Sequence, residues 1–131
     1  MSARMTSNRF LMIRGLVCGM LLLSAWQPDA LRADEDHFFE KEVRPLLERR
    51  CIKCHGGVKI NGGLSLDSRA GGESGPAIMP GKPAVSLLIQ AINYESLEMP
   101  PEEAGGKLSD DEITVLTKWV QKGAFDPRDG L

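Results

Sequence analysis

Five consecutive residues, Cys51-Ile52-Lys53-Cys54-His55, constrain this chain more than any other feature. Two thiols three positions apart can each bond one vinyl group on the edge of a flat tetrapyrrole. The histidine directly after the second thiol then lies under the ring, with an imidazole nitrogen within reach of the iron. This spacing is the attachment signature of c-type haem. A chain built on it folds around a covalent, planar, apolar group. Three other chemistries use the same cysteine spacing. A thioredoxin-like redox pair needs a βαβ context, and the sequence shows no alternating strand pattern. A zinc site wants four ligands, and beyond residue 33 the soft ligands are Cys51, Cys54, His55 and the distant His37. A structural disulfide across so short a loop removes little unfolded-state entropy.

The segment before this motif reads as an export signal. Arg4, Arg9 and Arg14 make a basic start, and an apolar run from Gly15 to Trp26 follows. Ala33 then precedes the acidic Asp34-Glu35-Asp36. That order is basic region, apolar region, small residue. Residues 1–33 are therefore expected to be a signal peptide and residues 34–131 a single domain, with Ala30 as a second choice of cleavage position. The apolar run is short for a membrane span, so a membrane is involved only if the segment stays uncleaved. Cys18 lies inside the run and is read as apolar filler that leaves with it.

Export agrees with the attachment motif, because haem is attached covalently outside the bacterial inner membrane. The expected location is the periplasm. The whole chain carries a net charge of −2. Removing residues 1–33 takes four of its 16 basic residues and one of its 18 acidic ones, leaving −5. No basic patch points to nucleic acid. An acidic carrier suits redox protein partners with a basic docking patch, and salt should slow their association. The 98 residues left after cleavage include few aromatics. A chain of that size buries a modest fraction of its surface, so the apoprotein is expected to fold poorly without its prosthetic group.

Residues 36–50 read as a helix, with Phe39, Val43, Leu46, Leu47 and Arg50 on one face. The acids at 34–36 suit its N-terminus, and Arg49 and Arg50 suit its C-terminus. Pro45 removes a backbone donor and should kink or split it. His37 is read as a surface residue. From Gly56 to Gly81 the chain is glycine-punctuated loop, with Leu64-Ser65-Leu66-Asp67 as one packed extended piece. The Pro76 carbonyl is a candidate acceptor for the second nitrogen of His55, a contact that would fix the ring. Pro83–Asn93 reads as a second helix, with Leu87, Leu88, Ala91 and Ile92 buried and Pro83 at its first position.

Met99, in Glu98-Met99-Pro100-Pro101, is the candidate for the sixth iron ligand. A thioether suits haem iron, and the prolines stiffen the loop presenting it. Met79, in Ile78-Met79-Pro80, is the rival. Ser109–Lys122 is the clearest helix. Ser109 and Glu112 form a capping box, Ile113, Leu116, Trp119 and Val120 make the inner face, and Gly123 is the stop. Trp119 is read as core packing against the first helix. The residues after Asp126 read as a polar tail.

This order resembles a class I c-type cytochrome, and more narrowly the planctomycete-type cytochrome c domain. The segments that carry the resemblance are Phe39 to Leu47, Gly62-Gly63-Leu64-Ser65-Leu66-Asp67-Ser68-Arg69, Ser74 to Ile78, Pro80-Gly81-Lys82-Pro83 and Ser86-Leu87-Leu88-Ile89. They run from about Phe38 to Phe125. The resemblance implies an all-α, small monohaem class I cytochrome c fold, with crossed N- and C-terminal helices and a glycine-rich loop wrapping the haem. It implies one covalent haem c on Cys51 and Cys54, with His55 and Met99 as axial ligands. At Met79 the family usually carries valine or a similar residue.

The function expected is one-electron transfer between redox partners. No acid–base or nucleophile pair is evident, so the chain is not expected to be an enzyme. A different class is a non-catalytic binding or targeting module of a larger extracytoplasmic assembly, in which haem serves as a structural staple. A third is a thiol–disulfide oxidoreductase.

Overall fold

The computed structural model of the chain describes residues 28–57, 59–73 and 75–128. The basic and apolar N-terminal run with Cys18 lies outside them, as does Ser74. Regular structure is mostly helical, as expected of an all-α chain. Strand pairing in the described residues amounts to β1 (His55–Gly56) against β2 (Lys59–Ile60), antiparallel, with His55 opposite Ile60.

Helix α1 spans Pro28–Phe38, a π-helical turn spans Phe39–Val43, and α2 spans Arg44–Arg50. The break expected at Pro45 takes this form. Proline has no N–H for the carbonyl four residues back, and its ring crowds that carbonyl. The wider turn just before it absorbs the mismatch, with the Arg44 N–H reaching back to the Phe39 carbonyl. Pro45 itself sits in the first turn of α2, where its missing donor costs least. Within the described residues the helix already runs from Pro28, ahead of residue 36. Ala30, Leu31, Arg32 and Ala33 are good helix formers. Asp34, Glu35 and Asp36 therefore lie within α1, and so does the boundary expected after Ala33.

The predicted face of this segment is the buried one. Phe39, Val43 and Leu47 are fully enclosed, Leu46 nearly so, and His37 is exposed. They share one core with Leu66, Ile78, Ile92, Leu108, Leu116 and Val120. Each such side chain contributes about 1.5–3 kcal/mol by leaving water.

The middle of the chain departs most from expectation. A short helix α3, Arg69–Glu73, interrupts the predicted loop. The predicted helix over 83–93 is two pieces: a 3-10 turn, Pro83–Val85, and α4, Leu87–Ile92. Ser86 divides them in an extended conformation, φ −80° and ψ 121°. It is fully buried. Its hydroxyl accepts the Met79 N–H at 2.9 Å and lies 3.0 Å from the Lys82 carbonyl. The break resets the helical phase, which puts Ile89 in the core with Leu88, Ala91 and Ile92, and leaves Leu87 41% exposed.

Helix α5 spans Asp110–Gln121, with the Ser109/Glu112 capping box formed in both directions. Leu116, Trp119 and Val120 are buried, Ile113 packs against the core, and Gly123 ends the helix at φ +106°. Trp119 meets Phe39 of the π turn. The polar residues expected after the helix are packed against the fold. Asp126 is 3% exposed and pairs with Arg128.

Candidate functional site

The end of α2 carries the cysteines. The Cys51 N–H still donates to the Leu47 carbonyl at 2.9 Å, so Cys51 closes the helix. Its own carbonyl then accepts two N–H groups, from Cys54 at 3.1 Å and His55 at 2.9 Å. One tight turn therefore gathers both cysteines and the histidine. Both thiols are free; Cys51 is buried among core residues, and Cys54 and His55 are half-buried. Burial pushes the Cys51 thiol up to about 11, with the Arg50 charge opposing. Thiol exchange needs a thiolate with a lowered pKa, so this environment counts against the oxidoreductase reading.

Glycine is required immediately after the motif. A Cβ on Gly56 would stand 2.7 Å from Ile52 Cγ2 and 3.0 Å from the Ile52 carbonyl. The chain folds back over its own turn there, and β1 pairs with β2. Asp67 closes the loop from the other side. It accepts the Gly57 N–H at 2.6 Å and the Ser65 hydroxyl, and these bonds hold its carboxyl below the usual range. Between them, the Leu66 N–H donates to the His55 carbonyl at 2.6 Å.

The His55 backbone is thus fixed, but its ring is not satisfied. Nδ1 is buried with no hydrogen-bond partner among the described residues. The Pro76 carbonyl does not supply one; it accepts the Leu87 N–H at 3.4 Å. The Pro83–Val85 turn and the Ser86 break bring the start of α4 to that carbonyl in place of the imidazole. A buried unpaired polar nitrogen costs about 1–3 kcal/mol. Two free thiols and a half-buried imidazole gathered in one turn are the donor set that the prosthetic group implied by the motif needs. No cluster of three or more His, Cys, Asp or Glu placed for a metal ion occurs among the described residues.

Met99 and Met79 are both half-buried. The Met99 N–H donates to the Ala91 carbonyl at 3.2 Å, which ties its loop to α4. The Tyr94 hydroxyl donates to the Pro100 carbonyl at 2.5 Å. Met79 is tied elsewhere: its N–H goes to Ser86, and the following turn reaches α5 through Gly81 N–H and the Val120 carbonyl at 2.8 Å.

Sequence reasoning missed two residues here. Tyr94 was assigned no role, yet it holds the loop of Met99. Burial, then Glu102 and Glu98, push its phenol up. Arg50 was placed on the inward face and at the end of the first helix but given no partner, yet its guanidinium reaches the carbonyls of Gly105 and Gly106. A contact between residues so far apart leaves no local signal.

The family model described as Planctomycete cytochrome C matches residues 51–103. The match opens on Cys51 and runs through Met99-Pro100-Pro101, so it contains every candidate ligand. It confirms the planctomycete-type resemblance over that stretch. No curated protein and no solved structure gives a significant match. A planctomycete cytochrome c match implies haem c and, in general terms, haem-based electron-transfer chemistry. Cytochrome c domains are usually extracytoplasmic. No helix among the described residues is long and apolar enough to cross a membrane.

Proposed function

We propose that this protein is a periplasmic monohaem cytochrome c that passes single electrons between redox partners. The observation that carries the reading is the turn in which the Cys51 carbonyl gathers Cys54 and His55, so that two free thiols and the imidazole lie together. When bound, haem c supplies a one-electron couple between ferrous and ferric iron. Cys51 and Cys54 attach it as thioethers, which removes both thiols from redox chemistry. His55 and Met99 would hold its iron from the two sides. A thioether ligand with apolar surroundings raises the potential relative to two imidazoles. If His55 and Met99 both held the iron, no substrate could reach it, and this supports a carrier over an enzyme. The glycine-rich stretch after Gly56 would wrap the group, beside the helices ending at Arg50 and beginning at Asp110.

The loop that presents Met99 is acidic, with Glu95, Glu98, Glu102 and Glu103 all exposed around a 55%-exposed Leu97. A partner with a basic patch around an apolar centre complements it. The test is spectroscopic. Protein matured with the haem-attachment machinery should gain one covalent haem by mass and show a low-spin six-coordinate spectrum. Met99→Ala should turn it high-spin. A high-spin spectrum in the parent, indifferent to Met99→Ala, would reject the methionine ligand; absence of covalent haem would reject the whole reading.

A further inference from the structure

We propose that Arg50 is a positioning residue for the distal ligand, clamping the loop of Met99 to the end of the helix that carries the cysteines. The inference rests on reading Met99 as that ligand. Arg50 is the last residue of α2, directly before Cys51. Its Nη2 donates to the Gly105 carbonyl at 3.2 Å and the Gly106 carbonyl at 2.8 Å, across 55 and 56 residues of chain.

The segment it grips is a closed unit. The Pro101 carbonyl accepts the Ala104 N–H at 2.9 Å and the Gly106 N–H at 3.1 Å. Pulling on Gly106 therefore pulls on Pro101, two residues from Met99. The grip needs glycine. Gly105 has φ +105°, and a Cβ there would stand 3.1 Å from Arg50 Nη1. On the other side, the loop is held by the Tyr94 hydroxyl at the Pro100 carbonyl and by Met99 N–H at the Ala91 carbonyl. Arg50 supplies the one tie in this set that runs to the cysteine-bearing helix.

Among the described residues Arg50 Nε is buried without a partner, and the bonds to the loop both come from Nη2. A charged donor bridging two carbonyls is a strong tie in a partly buried site. Lysine keeps the charge but loses the planar fork. Glutamine loses both charge and reach.

The test uses full-length haem-loaded protein carrying Arg50→Gln, Arg50→Lys or Met99→Ala. Two readouts are taken on ferric protein: the weak charge-transfer band of sulfur-ligated iron, and the affinity for added imidazole, which competes for the distal place. Loss of the clamp should weaken the sulfur band and tighten imidazole binding about tenfold in Arg50→Gln, with Arg50→Lys between it and the parent. Unchanged imidazole affinity in Arg50→Gln, even with a lower melting temperature, would overturn the inference, because a merely structural arginine moves stability alone. If Arg50→Gln does not mature, Arg50→Lys is read instead, and parental affinity there overturns the inference. A parent without the sulfur band, or a Met99→Ala variant that keeps it, would sink the Met99 reading itself. A band lost in Met99→Ala but untouched in both Arg50 variants would sink only the clamp.

Discussion

The rings of Phe39 and Trp119 lie with centroids 6.1 Å apart and planes tilted by 51°. The contact joins α5 to the π turn that precedes Pro45. Phe39 is fully buried and Trp119 is 4% exposed. Phe39→Ala would empty the junction and should cost about 3–5 kcal/mol in denaturant unfolding of the haem-loaded protein. Trp119→Phe keeps most of the volume but strands the Phe125 carbonyl, which accepts the indole N–H at 2.7 Å. That should cost about 1–3 kcal/mol. A larger loss from Trp119→Phe than from Phe39→Ala would mean the hydrogen bond, and not the packing, holds this junction.

Gly56 offers a test of the turn that presents the ligands. Its φ is not in the left-handed region, so the demand is for space alone. A methyl group would meet Ile52 Cγ2 at 2.7 Å and the Ile52 carbonyl at 3.0 Å. The side chain can rotate away, but the carbonyl cannot. Gly56→Ala should lower stability by about 1–3 kcal/mol and reduce the yield of covalently loaded protein. Gly57→Ala is the comparison. Nothing crowds that position, but φ is +61°, so its cost is backbone strain of about 1–2 kcal/mol. Equal loading in the parent and Gly56→Ala would show that the turn tolerates a shifted Ile52.

What could be read from the sequence follows from how local each signal is. Cys51, Cys54 and His55 were legible because thioether chemistry itself imposes their spacing. Helix α5 was legible because its cap, its stripe and its stop all lie within fifteen residues and agree. The π turn was half legible: Pro45 announces a break, but its form depends on Phe39 and Val43 staying buried on both sides. The break at Ser86 was not legible, because a serine divides a helix only where Met79 and Lys82 arrive to bond its hydroxyl. The Pro76 expectation is not met either: that carbonyl accepts the Leu87 N–H, and His55 Nδ1 has no partner among the described residues. Arg50 and Gly105 meet across 55 residues of chain, and neither carries any sign of the other.

Asp67 makes a pH prediction. The Ser65 hydroxyl, then the Gly57 N–H, stabilise its ionised form and lower its pKa from the ordinary 3.8. A lowered folded-state pKa gives stability that is fully present above the ordinary value. It is lost as pH falls through the lowered one. The parent should therefore lose more stability than Asp67→Asn between about pH 5 and pH 2, with the two curves parallel above that window. The group is largely exposed, so solvent keeps the difference below about 1 kcal/mol. Urea midpoints across that range would measure it. Curves parallel throughout would show that the two bonds add nothing beyond what water supplies.

The pair at the end of the chain should be costly to break and cheap to replace. Arg128 binds Asp126 through Nε at 2.8 Å and Nη2 at 2.6 Å, and its Nη2 also donates to the Leu66 carbonyl at 2.9 Å. Its guanidinium lies 5.1 Å from the Phe39 ring centre. The two side chains are 13% and 4% exposed, so solvent screens them little. Arg128→Met would leave the Asp126 carboxylate buried and unpaired, at about 3–5 kcal/mol. Arg128→Met with Asp126→Leu removes both charges together and should recover most of that loss. Leu66 links this pair to the site, because its N–H holds the His55 carbonyl at 2.6 Å. The single variant should therefore also disturb the proximal ligand, seen as a shift in reduction potential that the double variant reverses in part. A single variant as stable as the parent would mean that Asp126 finds water when Arg128 is gone, and that the tail contributes nothing to holding His55.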